Sequence, residues 1–192
     1  MKLRIISAAV FGAAIAASAC TDPIHITAQD ATIVDTLTVY ALSGTSPSVP
    51  SGLDIFTRQP VVVDGLAAFD IAFDIESPTQ VRIYPVRFVV TSPAGVRQVG
   101  IRKQAGTFEQ LVNAPSGVYQ TDSSVAVAPG ELAVIQTTRA FSGEFCQFAL
   151  QPYLYAKLSV LSIDMAARTI QFELGLDPNC GFRSFLPGVP TS

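Results

Sequence analysis

Three acidic side chains on one short stretch are the first candidates for chemistry in this 192-residue chain. Asp70, Asp74 and Glu76 fall in AFDIAFDIE (residues 68–76), where strict alternation puts Phe69, Ile71, Phe73 and Ile75 on one face of a strand. The acids lie on the other face with Ala72. A pair of carboxylates is the minimum for acid–base glycoside hydrolysis, and converging carboxylates are what a hard cation such as Ca²⁺ takes. A row along one strand provides neither, because at about 3.4 Å per residue its ends stand roughly 20 Å apart. These acids read as a solvated strand face.

Other chemistry finds little to work with. The single histidine, His25, lies close to the N-terminus, where nothing orients its imidazole against a nucleophile. There is no G-x-S-x-G elbow, no S-x-x-K motif, no phosphate-binding glycine pattern and no His/Cys cluster of the kind zinc needs. We therefore expect no catalytic residue, no metal site, no cofactor and no enzymatic activity. The aromatic group Phe141, Phe145, Phe148, Tyr153 and Tyr155 has two readings: core around a cysteine, or a stacking platform for sugar or peptide. Tyr153 and Tyr155 alternate with Leu154 and Ala156, which places both on the more polar face and makes them the possible ligand-contacting residues. Arg82, Arg87, Arg97 and Arg102 fall on neighbouring predicted strands, as partners for acids across a sheet or as a basic patch.

The elements that must position these residues are strands. Residues 32–42 (TIVDTLTVYAL) are β-branched and form the first, and residues 43–52 (SGTSPSVPSG) are a loop. Asp64-Gly65 predicts a tight hairpin that joins Val61–Val63 to residues 68–76. Residues 81–91 read as a strand broken at Pro85, answered by an antiparallel return over 96–102 after the turn Ser92-Pro93-Ala94-Gly95. Residues 107–111 read as one helical turn, with Thr107 and Gln110 at capping-box spacing. Residues 118–127, 131–141, 153–163 and 168–176 complete the strand pattern, and in the last of these Ile170, Phe172, Leu174 and Leu176 point inward. About nine to eleven short strands, with no helix longer than the one turn at 107–111, predict an all-β, antiparallel β-sandwich, Ig-like or jelly-roll-like. One domain over residues 32–185 is expected, with a frayed tail over 186–192; two Ig-like domains split near residue 105 are the alternative.

The N-terminus supplies an address. Lys2 and Arg4 precede an apolar run that closes on Ala17-Ser18-Ala19-Cys20, an ending that resembles the lipobox of bacterial lipoproteins. The resemblance covers residues 1–20 only. It implies a signal peptide over 1–19, acylation of Cys20, a tether over 20–31 and a membrane partner reached through the lipid. Several acyl chains hold a protein firmly where one holds it reversibly, since each buried CH₂ contributes roughly 0.8 kcal/mol. The same residues also satisfy the A-x-A pattern of ordinary secretory cleavage. Thr21 after the cysteine, with Asp22 one later, leans toward the outer membrane. With Cys20 acylated, Cys146 and Cys180 remain as an expected disulfide.

Composition narrows the partners. Removal of Lys2 and Arg4 leaves ten basic residues against fifteen acidic ones, a net charge of −5, which argues against nucleic acid. Charged residues make up only 14% of the chain, so some apolar surface or a Ser/Thr/Gln-rich exterior is expected. The expectation is an outer-membrane lipoprotein of the bacterial envelope that displays a β-sandwich to a protein or glycan partner. A carboxylate-dependent hydrolase and a small outer-membrane β-barrel are the alternatives.

Overall fold

Ten strands and a single helical turn form in the computed structural model, which describes residues 27–65, 69–90, 97–138 and 153–191. In chain order they are β1 (Ile33–Tyr40), β2 (Pro50–Asp54), β3 (Gln59–Val62), β4 (Ile71–Ser77), β5 (Gln80–Pro85), α1 (Val86–Val89), β6 (Val99–Gln104), β7 (Val125–Val127), β8 (Leu132–Thr138), β9 (Tyr153–Asp164) and β10 (Thr169–Asp177). They make two five-stranded antiparallel sheets, β1-β10-β9-β8-β6 and β3-β2-β4-β5-β7, packed face to face as a β-sandwich. The inner faces bury the apolar set that alternation marked out: Phe69, Ile71, Phe73 and Ile75 from one sheet, and Ile170, Phe172, Leu174 and Leu176 from the other. Phe73 and Phe172 stack across the interface with ring centroids 5.0 Å apart. Strands from both sides of residue 105 share each sheet, so the described residues do not divide there. Among the described residues both sheets are open and do not close into a barrel.

Several local expectations are corrected. Asp64-Gly65 does not close a hairpin: β3 pairs with β2, and β2 lies between β3 and β4. Pro50 and Gly52, read as loop, belong to β2, where a bulge absorbs the proline. After Pro85 the chain makes the single turn α1 in place of more strand, with the Val90 N–H bonded to the Val86 carbonyl. β6 then crosses to the other sheet and pairs with β8. Residues 107–111 make a bonded turn rather than a helix, yet the reciprocal pattern of a capping box is there. The Thr107 N–H donates to Gln110 Oε1 at 3.2 Å, and the Gln110 N–H to Thr107 Oγ1 at 3.4 Å.

Two turns share an unusual closing residue. Arg58 ends the β2–β3 turn and Arg168 the β9–β10 turn, with φ of 56° and 55°, a region costly for side chains that carry a Cβ. Each arginine then reaches the opposite sheet. Arg58 Nε lies 2.5 Å from Asp35 on β1, and Arg168 Nη2 lies 3.3 Å from Asp74 on β4 and 2.8 Å from the Ser43 carbonyl. The two hairpins are thereby pinned reciprocally across the sandwich.

Candidate functional site

The acids read as a wet strand face have separate fates. Asp70, just ahead of β4, is 1% exposed and bridges the two sheets. Its Oδ2 accepts from the Ile55 N–H and from Arg97 Nη1, both at 2.7 Å, and its Oδ1 accepts from Thr137 Oγ1 at 2.6 Å. Arg97 Nη2 donates to Asp54 Oδ2, also at 2.7 Å. Burial drives the Asp70 carboxyl above the usual carboxylate range, and the Arg97 charge and the hydrogen bonds from Thr137 and Ile55 offset this only in part. Burial also works to raise Asp54, but the hydrogen bonds from Arg97 and the Thr57 N–H hold that carboxyl low. Two carboxylates with separated titrations are what acid–base chemistry uses. Here every oxygen of Asp70 is engaged inside the protein, and the cluster acts as an inter-sheet clamp. Asp74 is taken by Arg168 and Ser43, and Glu76 by Arg82 at 2.6 Å. Among the described residues no group of three or more His, Cys, Asp or Glu is placed to hold a metal ion.

The arginines likewise scatter. Arg82 and Arg97 pair with acids, Arg102 donates to the Ser116 carbonyl at 2.7 Å, and Arg87 is exposed on α1, so they form no common patch.

The tyrosines are placed differently from expectation. Tyr155 is 2% exposed and Tyr153 half-buried, because residues 108–119 fold over the outer face of the β6–β8–β9–β10 sheet as a lid. Under it, Ala114, Tyr119, Val134, Tyr155 and Phe185 make a second apolar cluster. Tyr155 Oη accepts from Gln136 Nε2 at 3.0 Å, and its ring lies 6.3 Å from that of Tyr119. Burial pushes the Tyr119 hydroxyl up to about 12. Tyr155 thus has no free ring face for a sugar.

Lys157, next along β9, was not singled out by the sequence. It is 4% exposed, and its Nζ donates to the Phe108 and Leu111 carbonyls while sitting 4.1 Å from the centre of the Phe108 ring. Burial lowers its pKa, and Glu173 and Glu109 oppose that only partly. The lysine closes the turn at the start of the lid. Two strand glycines make room for the same layer: a Cβ on Gly100 would meet Tyr119 Cβ at 2.5 Å, and one on Gly175 would meet Lys157 Cε at 2.9 Å. Glycine inside a strand often marks a close approach, and this was the available signal for the lid.

The C-terminal segment ties the lid to the chain's entry. Residues 183–185 pair with 112–114, with the Ala114 N–H bonded to the Arg183 carbonyl at 2.7 Å and the Phe185 N–H to the Val112 carbonyl at 2.8 Å. Upstream, Asn179 Oδ1 accepts from the Gln29 and Asp30 N–H groups at 2.9 and 3.0 Å, and its Nδ2 donates to the Asp30 carbonyl at 2.7 Å. Downstream, the Thr32 N–H donates to the Gly188 carbonyl at 3.0 Å and Thr32 Oγ1 to the Leu186 carbonyl at 2.6 Å. The end of the segment read as tether is thus bonded to Asn179, and the segment read as frayed tail is bonded through residues 186 and 188 to Thr32 at the start of the domain. Asn179 is itself held by the fully buried Asp177, whose Oδ1 accepts from its backbone N–H at 3.0 Å and from its Nδ2 at 2.8 Å. Among the described residues Asp177 Oδ2 has no partner of good hydrogen-bond geometry, and burial pushes this carboxyl up against the lowering effect of Asn179 and the Ser184 backbone. Cys180 is disulfide-bonded. Cys146 and Cys20 lie outside the described residues, as do His25, Phe141, Phe145 and Phe148.

No protein-family model, no curated protein and no solved structure matches the chain.

Proposed function

We propose that this chain is a lipid-anchored β-sandwich module of the bacterial envelope, held close to an outer membrane through Cys20, which binds or supports a protein or glycan partner without catalysis of its own. The observation that carries the reading is the fastening of the entry segment. Asn179 and Gly188 grip residues 29–32, so the anchor joins a part of the domain bonded on two sides. Six residues lie between Cys20 and Thr27, and the seven steps of chain reach at most about 25 Å. A fixed entry on a short reach suits display near a membrane. The engaged states of Asp54, Asp70, Asp74 and Glu76 favour a non-catalytic module over a carboxylate hydrolase. In the same reading Cys180 pairs with Cys146, since acylation removes Cys20 from the count.

The test is fractionation of the expressing cells. The wild-type chain is expected in the membrane fraction and released by detergent but not by high salt, whereas Cys20→Ser is expected in the soluble periplasmic fraction. Equal distribution of the two proteins contradicts the reading.

A further inference from the structure

We propose that the open edge of β1 pairs, antiparallel and centred on Leu37, with β1 of a second copy of this chain. Four strands end the two sheets, and three of them are guarded. β3 is four residues long, contains Pro60 and pairs through a bulge; β7 has only three residues. β6 is covered by Gln120, which exchanges backbone hydrogen bonds with Ile101 at 2.8 and 2.9 Å. Among the described residues β1 has none of these protections. It runs eight residues in unbroken register with β10, from Ile33 opposite Leu176 to Tyr40 opposite Thr169.

The hydrogen-bond phase shows which groups face outward. The Ala41 N–H donates to the Arg168 carbonyl, so the odd-numbered residues of β1 bond to β10, and the backbone groups of Val34, Thr36, Thr38 and Tyr40 point to the open side. Those groups have no hydrogen-bond partner among the described residues. The open stretch is bounded at both ends. Gly188 takes the Thr32 N–H before it, and after it the Leu42 N–H turns away to the Phe73 carbonyl of the other sheet. Its midpoint is Leu37.

That symmetry selects the occupant. A second β1 laid antiparallel about Leu37 uses the whole stretch and sets Val34 opposite Tyr40 and Thr36 opposite Thr38. Aromatic–β-branched and Thr–Thr neighbours are favourable cross-strand pairs. The four side chains on the outer face are uncharged and exposed. The single charge on β1, Asp35, is held by Arg58 and would face Val39 of the second copy, so no like charges oppose one another. The result is one continuous ten-stranded sheet with an isologous interface. It requires no acylation, although confinement to a membrane would raise the effective concentration.

Disulfide trapping in the full-length chain, in membranes, tests this register. A Val34→Cys copy co-expressed with a Tyr40→Cys copy, and likewise Thr36→Cys with Thr38→Cys, is expected to form a reductant-sensitive dimer above the wild-type background. Val34→Cys with itself is the mismatch, because the two sites would then lie about 20 Å apart. Disulfide geometry demands Cα atoms within about 7 Å, so it should cross-link about tenfold more slowly or not at all. Thr38→Lys in the Val34/Tyr40 pair places a charge on the shared edge without touching a bond to β10, and should return the signal to background. No cross-link in the matched pairs, equal cross-linking in the mismatch, or a signal that survives Thr38→Lys would each overturn the proposal. Repeating the matched pair with Cys20→Ser separates it from the anchor reading: a retained dimer supports edge pairing whatever the fate of the anchor, and failure of the matched pair to cross-link in detergent both with Cys20 intact and with Cys20→Ser counts against it.

Discussion

At the scale of single residues, the heaviest electrostatic investment is the clamp of Asp70, Arg97, Asp54 and Thr137. Removing Asp70 leaves Arg97 with Asp54 as its remaining counter-ion and strips the Ile55 N–H and Thr137 hydroxyl of their buried acceptor, a loss comparable to the roughly 3–5 kcal/mol of breaking a buried pair from one side. Asp70→Ala is expected to lower the unfolding free energy in urea by that amount at neutral pH; a change below about 1 kcal/mol contradicts the clamp. Tyr119 makes a prediction of pH dependence. An unfolded tyrosine titrates near 10, whereas the folded hydroxyl, held in the lid cluster, waits until about 12. Between those values the folded chain keeps a proton that the unfolded chain has lost, so stability falls as pH climbs through this window. Tyr119→Phe should remove that part of the fall, measured as the slope of unfolding free energy against pH; an unchanged slope would count against a buried hydroxyl. Sequence reading put Asp70, Asp74 and Glu76 on a common face, which is what alternation encodes. It could not supply what covers that face, because Arg97, Arg168 and Thr137 arrive from 27, 94 and 67 positions away.

At the scale of elements, the lid and the C-terminal segment explain why strands β9 and β10 are buried on both sides. Alternation correctly gave the inward row of β10, but Tyr155, Lys157 and Ser159 on the other row of β9 are buried as well. Irregular segments without periodicity cover that row, and only Gly100 and Gly175 hinted at them. Gly100→Ala forces a Cβ against Tyr119 and is expected to cost about 1–3 kcal/mol, the range for overpacking. The loss should be accompanied by faster amide exchange in residues 108–119, and retention of wild-type exchange there would show that the lid does not rest on this glycine. Asn179→Ala removes three bonds to residues 29 and 30, for an expected loss of about 1–3 kcal/mol. Exchange should quicken at Gln29 and Asp30 while β4 and β5 stay protected. The missed elements have local causes. Breaker density hid β2, and Asp64-Gly65 supplied turn chemistry at a place where the chain does not fold back on itself, because β2 had already claimed the position beside β4.

At the scale of the whole molecule, period-2 patterning over the segments at 68–76, 153–163 and 168–176, with the β-branched run at 32–42 and the many short strands between turn signals, was enough to specify an antiparallel sandwich. Sheet order was not legible: β1 pairs with β10, at the far end of the chain, through a register that only the assembled core selects. That pairing also brings the entry of the domain, residues 29–32, beside its C-terminal segment. A chain with 14% charged residues, whose net charge would be −5 once the proposed signal is removed, suits a domain held by lipid rather than by electrostatic attraction to a membrane. The lipid attachment is the claim on which the functional account stands. Mass spectrometry of the N-terminal peptide from protein purified out of its native membrane tests it directly. The account predicts a mature chain that begins at Cys20 with a diacylglyceryl group on its sulfur. A peptide that begins elsewhere, or Cys20 with a free thiol, would contradict it.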